Sequence, residues 1–106
     1  MSSVKSHRDL LVWQRGIVLA EEVYLLSRSW PKDELYALTS QARRAAVSIP
    51  SNIAEGYGRQ SRASYAHHLK IARGSLLELE THLLLAERVS VAKDGSCNAA
   101  LAKTEE

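Results

Sequence analysis

The sequence predicts an all-α protein, an antiparallel up-and-down four-helix bundle with a short or atypical fourth helix. Three observations lead there. Apolar residues recur at alternating spacings of three and four through three long stretches, as amphipathic helices require. Strand signals are weak: there is no Phe and no alternating β-branched run bounded by turns. The connections are two to five residues long, which favours antiparallel neighbours.

The first helix is expected over residues 8–29. Leu10, Trp13, Ile17, Ala20 and Tyr24 mark its stripe, and Leu11, Val18 and Leu25 widen it enough for two neighbours. Asp9 in the first turn complements the helix dipole. The break is Ser29-Trp30-Pro31-Lys32, because proline forces the residue before it into an extended conformation. The second helix is expected over 32–57, with Leu35, Leu38, Ala42, Ala45, Ile49 and Ile53 inward. Pro50 costs about 3 kcal/mol inside a helix. The pattern nevertheless resumes in phase at Ile53 and Ala54, so a kinked continuous helix is expected. Gly56 and Gly58 read as its stop.

The third helix, over 61–89, has the clearest pattern: Tyr65, Leu69, Ala72, Leu76, Leu79, Leu83 and Ala86, flanked by Leu77, Leu84 and Leu85. Ser61 or Ser64 is its expected cap. Gly74 costs about 1 kcal/mol relative to alanine in mid-helix, which suggests another backbone passing close by. Lys93-Asp94-Gly95-Ser96 reads as a turn, and 96–104 as a short fourth helix. The apolar faces exceed what that short element can cover, so part of them is expected between subunits.

The chain of 106 residues points to one domain over 1–106, with an ordinary globular share of apolar and charged residues. A lone Cys97 fits a reducing compartment, and no stretch has the length and apolarity of a signal peptide or membrane span. A cytoplasmic location is expected. The net charge of +2 is uneven. Residues 41–73 carry Arg43, Arg44, Arg59, Arg62, Lys70 and Arg73 against Glu55 alone, so the middle third is a candidate electropositive surface.

Catalytic and metal signatures are weak. His67 and His68 point about 100° apart on a helix, and they read as solvated. There is no Cys-x-x-Cys and no His pair at i, i+4. Glu78 and Glu80, like Glu21 and Glu22, face different sides. Cys97 reads as a bystander thiol, and the Gly-x-Gly of Gly56 and Gly58 lacks the strand and third glycine of a nucleotide loop. Neither an enzyme nor a cofactor is expected.

Two constellations stand out. Gln41, Arg44, Ser48, Asn52 and Glu55 form a polar stripe opposite the apolar face of the second helix. It reads either as a hydrogen-bonded seam that fixes helix or subunit register, or as a ligand site. Arg43, Arg59, Arg62, Lys70 and Arg73, interleaved with Tyr57 and Tyr65, suit RNA or single-stranded nucleic acid. The alternative is an ordinary solvated face.

The run Asp9-Leu10-Leu11-Val12-Trp13-Gln14 resembles the opening of the four-helix-bundle family of 23S ribosomal RNA intervening-sequence proteins. The likeness continues through Glu34-Leu35-Tyr36-Ala37-Leu38-Thr39, Gln41 and Arg43-Arg44-Ala45-Ala46. It is most specific over Ser48-Ile49-Pro50-Ser51-Asn52-Ile53-Ala54-Glu55-Gly56, and runs on through Ile71-Ala72-Arg73-Gly74-Ser75-Leu76-Leu77-Glu78-Leu79-Glu80-Thr81. The resemblance covers about residues 8–90. It implies a bacterial up-and-down bundle assembling as a homo-oligomeric ring, typically a pentamer. The family is also similar to the accessory variability proteins of diversity-generating retroelements, which bind a reverse transcriptase and nucleic acid. No catalytic residue comes with the likeness. The polar stripe and Gly74-Ser75 fall on family motif positions, and the tail after Val89 departs from the family's usual long fourth helix. The expected function is therefore non-catalytic: an oligomeric bundle binding RNA through its basic surface, or else an adaptor docking a partner protein such as a reverse transcriptase.

Overall fold

Ser6 caps a short 3-10 turn at His7–Asp9: its hydroxyl accepts from Arg8 N at 3.2 Å, and Asp9 Oδ2 accepts from Ser6 N at 3.2 Å. The computed structural model, which describes residues 4–104, is helical from there onward. Leu10 is extended (φ −76°, ψ 126°), and α1 spans Leu11–Ser27. The expected helix over 8–29 is thus divided, because the capping box completes its own turn before α1 begins.

α1 buries Gly16, Leu19, Ala20, Val23 and Ser27, whereas Ile17 and Tyr24 of the expected stripe are exposed. Apolar residues cover most of this helix, so periodicity does not single out a face. Close approach does. A Cβ on Gly16 would stand 3.4 Å from Pro50 Cβ and 3.5 Å from Ile49 Cγ2. The helix therefore turns its glycine toward the proline.

The second expected helix is also divided. Pro31 (φ −55°, ψ 143°) starts a 3-10 turn at Lys32–Glu34, a wide turn follows at Leu35–Thr39, and α2 spans Ser40–Gly58. Ala37 leaves helical geometry (φ −122°, ψ −109°), and the Glu34 carboxylate accepts from Leu38 N at 3.4 Å in place of a backbone partner. α2 itself runs unbroken through Pro50, so the departure from helical geometry lies at Ala37 and not at the proline. Nor do Gly56 and Gly58 end the helix. Gln60 takes the left-handed conformation (φ 58°) beyond the cap at Arg59.

Gly56 has another role. A Cβ there would fall 2.7 Å from His68 Cβ and 3.3 Å from Tyr65 Cα, so α2 and α3 (Arg62–Arg88) cross closely at this point. Gly74 is the reverse: it is exposed, and a Cβ would meet nothing within 4 Å. The close approach expected at Gly74 occurs at Gly56 instead. Ser61 is the cap of α3, accepting from Ser64 N at 3.1 Å.

α2 lies between α1 and α3, and the short α4 (Asn98–Thr104) bridges α1 and α3 on the other side. The core runs along this stack through Val23, Ala42, Ala46, Ile53, Leu79, Leu83 and Ala86. The result is the expected bundle with a short fourth helix, 49 Å long and 20 Å across. No helix among the described residues is long and apolar enough to cross a membrane. The turn before α4 is clamped by Glu87, whose carboxylate accepts from Gly95 N and Cys97 N, both at 2.9 Å. Lys103 Nζ pairs with Glu22 Oε2 at 2.6 Å and fastens the other end to α1.

The two glycines predict opposite outcomes in thermal or urea unfolding. Gly56→Ala destabilises by about 1–3 kcal/mol through overpacking, while Gly74→Ala stabilises by up to about 1 kcal/mol through helix propensity. The backbone donors of Gly95 and Cys97 hold the Glu87 carboxyl below the usual carboxylate range. Its contribution is present above the unfolded-state value and is lost as pH falls through the lower folded value. The protection factors of the amides over 95–104, taken relative to intrinsic exchange at each pH, should therefore fall in acid below about pH 4, and Glu87→Gln should flatten that dependence.

Candidate nucleic-acid interface

The polar stripe of α2 meets α3 along much of its length. Asn52 is its centre. Asn52 Nδ2 donates to Ser48 O at 2.8 Å and to Ser48 Oγ at 3.0 Å. This leaves Asn52 Oδ1 to accept from His68 Nδ1 at 3.1 Å. His68 Nε2 lies 3.3 Å from Glu55 Oε2, and Ser48 Oγ shares a 2.8 Å hydrogen bond with Ser75 Oγ. Ser48, Asn52 and Glu55 thus join α2 to α3 inside one chain, as a seam needs. His68 is buried rather than solvated, with a side chain 9% exposed.

Toward the start of α2 the stripe opens. Gln41, Arg44 and Ser48 face Ser75, Glu78 and His82 of α3 across a polar cleft of about 380 Å³. From the sequence, His68 is expected to be solvated and Glu78 to be turned away from Glu80, and neither these nor Ser75 and His82 join the stripe, although one signal for two of them exists. His68 and Ser75 are seven residues apart and interrupt the inward face marked by Ala72 and Leu79, so they are polar positions on a buried stripe.

The basic residues divide into two groups. Arg43 is half-buried: its Nε donates to Ser27 Oγ at 2.8 Å, and its guanidinium lies 4.9 Å above the Tyr24 ring. It ties α2 to α1 and stands sixteen residues from Arg59, about 24 Å along the helix. The structure therefore separates Arg43 from the other basic residues. Arg59 and Arg62 come together at the α2–α3 turn, where Tyr57 and Tyr65 meet edge to face at 6.4 Å. Arg59 also lies 4.0 Å from Glu55. Arg62 and Arg73 are eleven residues apart, three turns, so they share a face of α3 with Lys70 close beside it. All three are exposed.

Cys97 is fully buried, and desolvation pushes its thiol up to about 11, far from a reactive thiolate. Among the described residues no group of three His, Cys, Asp or Glu side chains is placed to hold a metal ion.

The seam makes a quantitative prediction. Asn52→Ala leaves His68 Nδ1 buried without its partner and should cost about 1–3 kcal/mol in urea unfolding. A double-mutant cycle of Ser48→Ala and Ser75→Ala should show about 1 kcal/mol of coupling, because losing both hydroxyls strands neither.

No curated protein matches the chain. The family model described as 23S rRNA-intervening sequence protein matches residues 8–106, nearly the whole sequence, and the chain belongs to that family.

Proposed function

We propose that this protein is a non-catalytic RNA-binding bundle that engages single-stranded RNA at the α2–α3 turn. One observation carries the reading. Arg59, Arg62, Lys70 and Arg73 are exposed on the α2–α3 hairpin, and Tyr57 and Tyr65 flank the first pair in the chain, their rings meeting at the turn. Cations that track phosphates beside rings that stack on bases are the two elements of sequence-tolerant single-strand binding. The acidic residue beside them, Glu55, stands at the edge of the seam, 3.3 Å from His68 Nε2 and 4.0 Å from Arg59. Arg43 is left out of the site, because its guanidinium is occupied within the fold.

Self-assembly accompanies this reading. Leu11, Val12, Val18 and Leu25 on α1, Leu77, Leu84 and Leu85 on α3 and Val89 at its cap are large apolar side chains left exposed. Surface of this kind in a short chain favours burial against further copies. The pentameric ring implied by the family resemblance would repeat the basic surface around an axis, and light scattering reads its mass directly.

RNA affinity measured against salt tests the site. Replacing Arg59 and Arg62 by alanine should weaken binding and lower the slope of log K against log salt by about 1.4, at ~0.7 per phosphate contact on a single strand. Arg43→Ala should leave both affinity and slope unchanged. Unchanged affinity in the double variant removes the assignment.

A further inference from the structure

We propose that the polar cleft between α2 and α3 holds one unstacked guanine base of the bound RNA; the proposal rests on the RNA-binding reading above. Where the two helices touch, the polar stripe is fully paired through Ser48, Asn52, Glu55, His68 and Ser75. Where they part, pairing stops. The side chains of Gln41, Arg44, Glu78 and His82 make no hydrogen bond or ion pair among the described residues. Arg44 and Glu78 have opposite charges and face the same cleft from adjacent helices without meeting. The space between them, about 380 Å³, is within the range of small-ligand sites.

A ligand that satisfies both groups needs acceptors for a guanidinium and donors for a carboxylate. Guanine alone among the RNA bases offers two of each at once. O6 and N7 accept from an arginine, the commonest specific contact to a base. N1–H and the N2 amino group lie side by side and donate to the two oxygens of a carboxylate. Adenine presents no such pair of donors, and cytosine and uracil present fewer donors or acceptors. Gln41 and His82 add one further polar group each at the rim. Unstacked bases in single strands are read in this way, by their edges within a side-chain pocket.

Gly74 supplies an independent observation. It weakens α3, and no packing within the chain explains it, since a Cβ there would meet nothing within 4 Å. It lies one turn after Lys70 and one turn before Glu78, between the basic face and the cleft. A strand whose phosphates follow Arg73 and Lys70 reaches the cleft by crossing α3 at this bare backbone.

The test compares short oligouridine RNAs carrying one guanosine, one adenosine or one inosine, with binding read by fluorescence anisotropy. The guanosine RNA should bind about tenfold tighter than the adenosine RNA, the scale of one bidentate base contact. Inosine, which lacks the N2 amino group, should fall between them. Glu78→Gln should abolish the preference without changing the salt slope, and Gly74→Leu should weaken the guanosine RNA while thermal stability is kept. Equal binding of the three RNAs, or a preference that survives Glu78→Gln, overturns the guanine site and leaves the phosphate contacts standing. Failure of every RNA to bind, with the protein folded, overturns both.

Discussion

Everything in this bundle depends on how closely α2 and α3 cross. Gly56 lets the two backbones approach until a single added carbon would collide with His68 Cβ. At that separation little water reaches the groups between the helices, so Ser48, Asn52 and His68 take their partners from the protein. Asn52 does most of this, bonding Ser48 within α2 and His68 across the gap. Sliding one helix past the other by a turn would break the Ser48–Ser75, Asn52–His68 and Glu55–His68 contacts together. The seam thus fixes the hairpin's register in a way that an apolar stripe alone does not. The register in turn decides which exposed cations stand side by side.

The remaining helices are fitted to that hairpin. α1 approaches α2 through Gly16 against Pro50, so a residue that weakens a helix and one that usually breaks it pack on each other. Pro50 is tolerated because it gains a buried place facing that glycine. Arg43 then links the same two helices by its bond to Ser27 and its contact with Tyr24. α4 is too short to form alone. It is held from outside, by the Glu87 carboxylate at its start and the Lys103–Glu22 pair near its end.

The helices were legible because the period of the apolar residues reports them directly, and their antiparallel order because the connections are short. What was not legible depends on distances. In α1 almost every face is apolar, and nothing in the spacing says that Gly16 rather than Ile17 turns inward. Gly56 lies where a helix stop is expected, so sequence alone cannot separate a cap from a crossing point. The stop fell to Gln60, a residue with no glycine-like signal. His68 has an identical neighbour that is exposed, and the one sign that separates them in the sequence is that His68 falls in line with Ala72, Ser75 and Leu79. The break at Ala37 left no trace in the apolar pattern: Leu35 and Leu38 both fit the expected inward stripe, yet Leu38 is buried and Leu35, before the break, is exposed. The polar stripe was visible in full, but its division into a paired half and an open half was not.

That division bears on function more than any single residue does. The part of the stripe that holds the two helices together is paired, because unpaired polar groups buried between helices cost free energy. Here the pairing ends at Ser48 and Ser75, while Arg44, Glu78, Gln41 and His82 continue the stripe into solvent. Arg44 and Glu78 could each have been solvated anywhere on the surface. Their placement on facing sides of one cleft, beside a glycine that the fold itself does not use, is what a site for a third party requires. RNA bound at the basic surface along the hairpin, as proposed, would be held by charge and so be sensitive to salt and tolerant of sequence. A neutral base held by opposite charges would supply the complementary property, discrimination, within the same two helices.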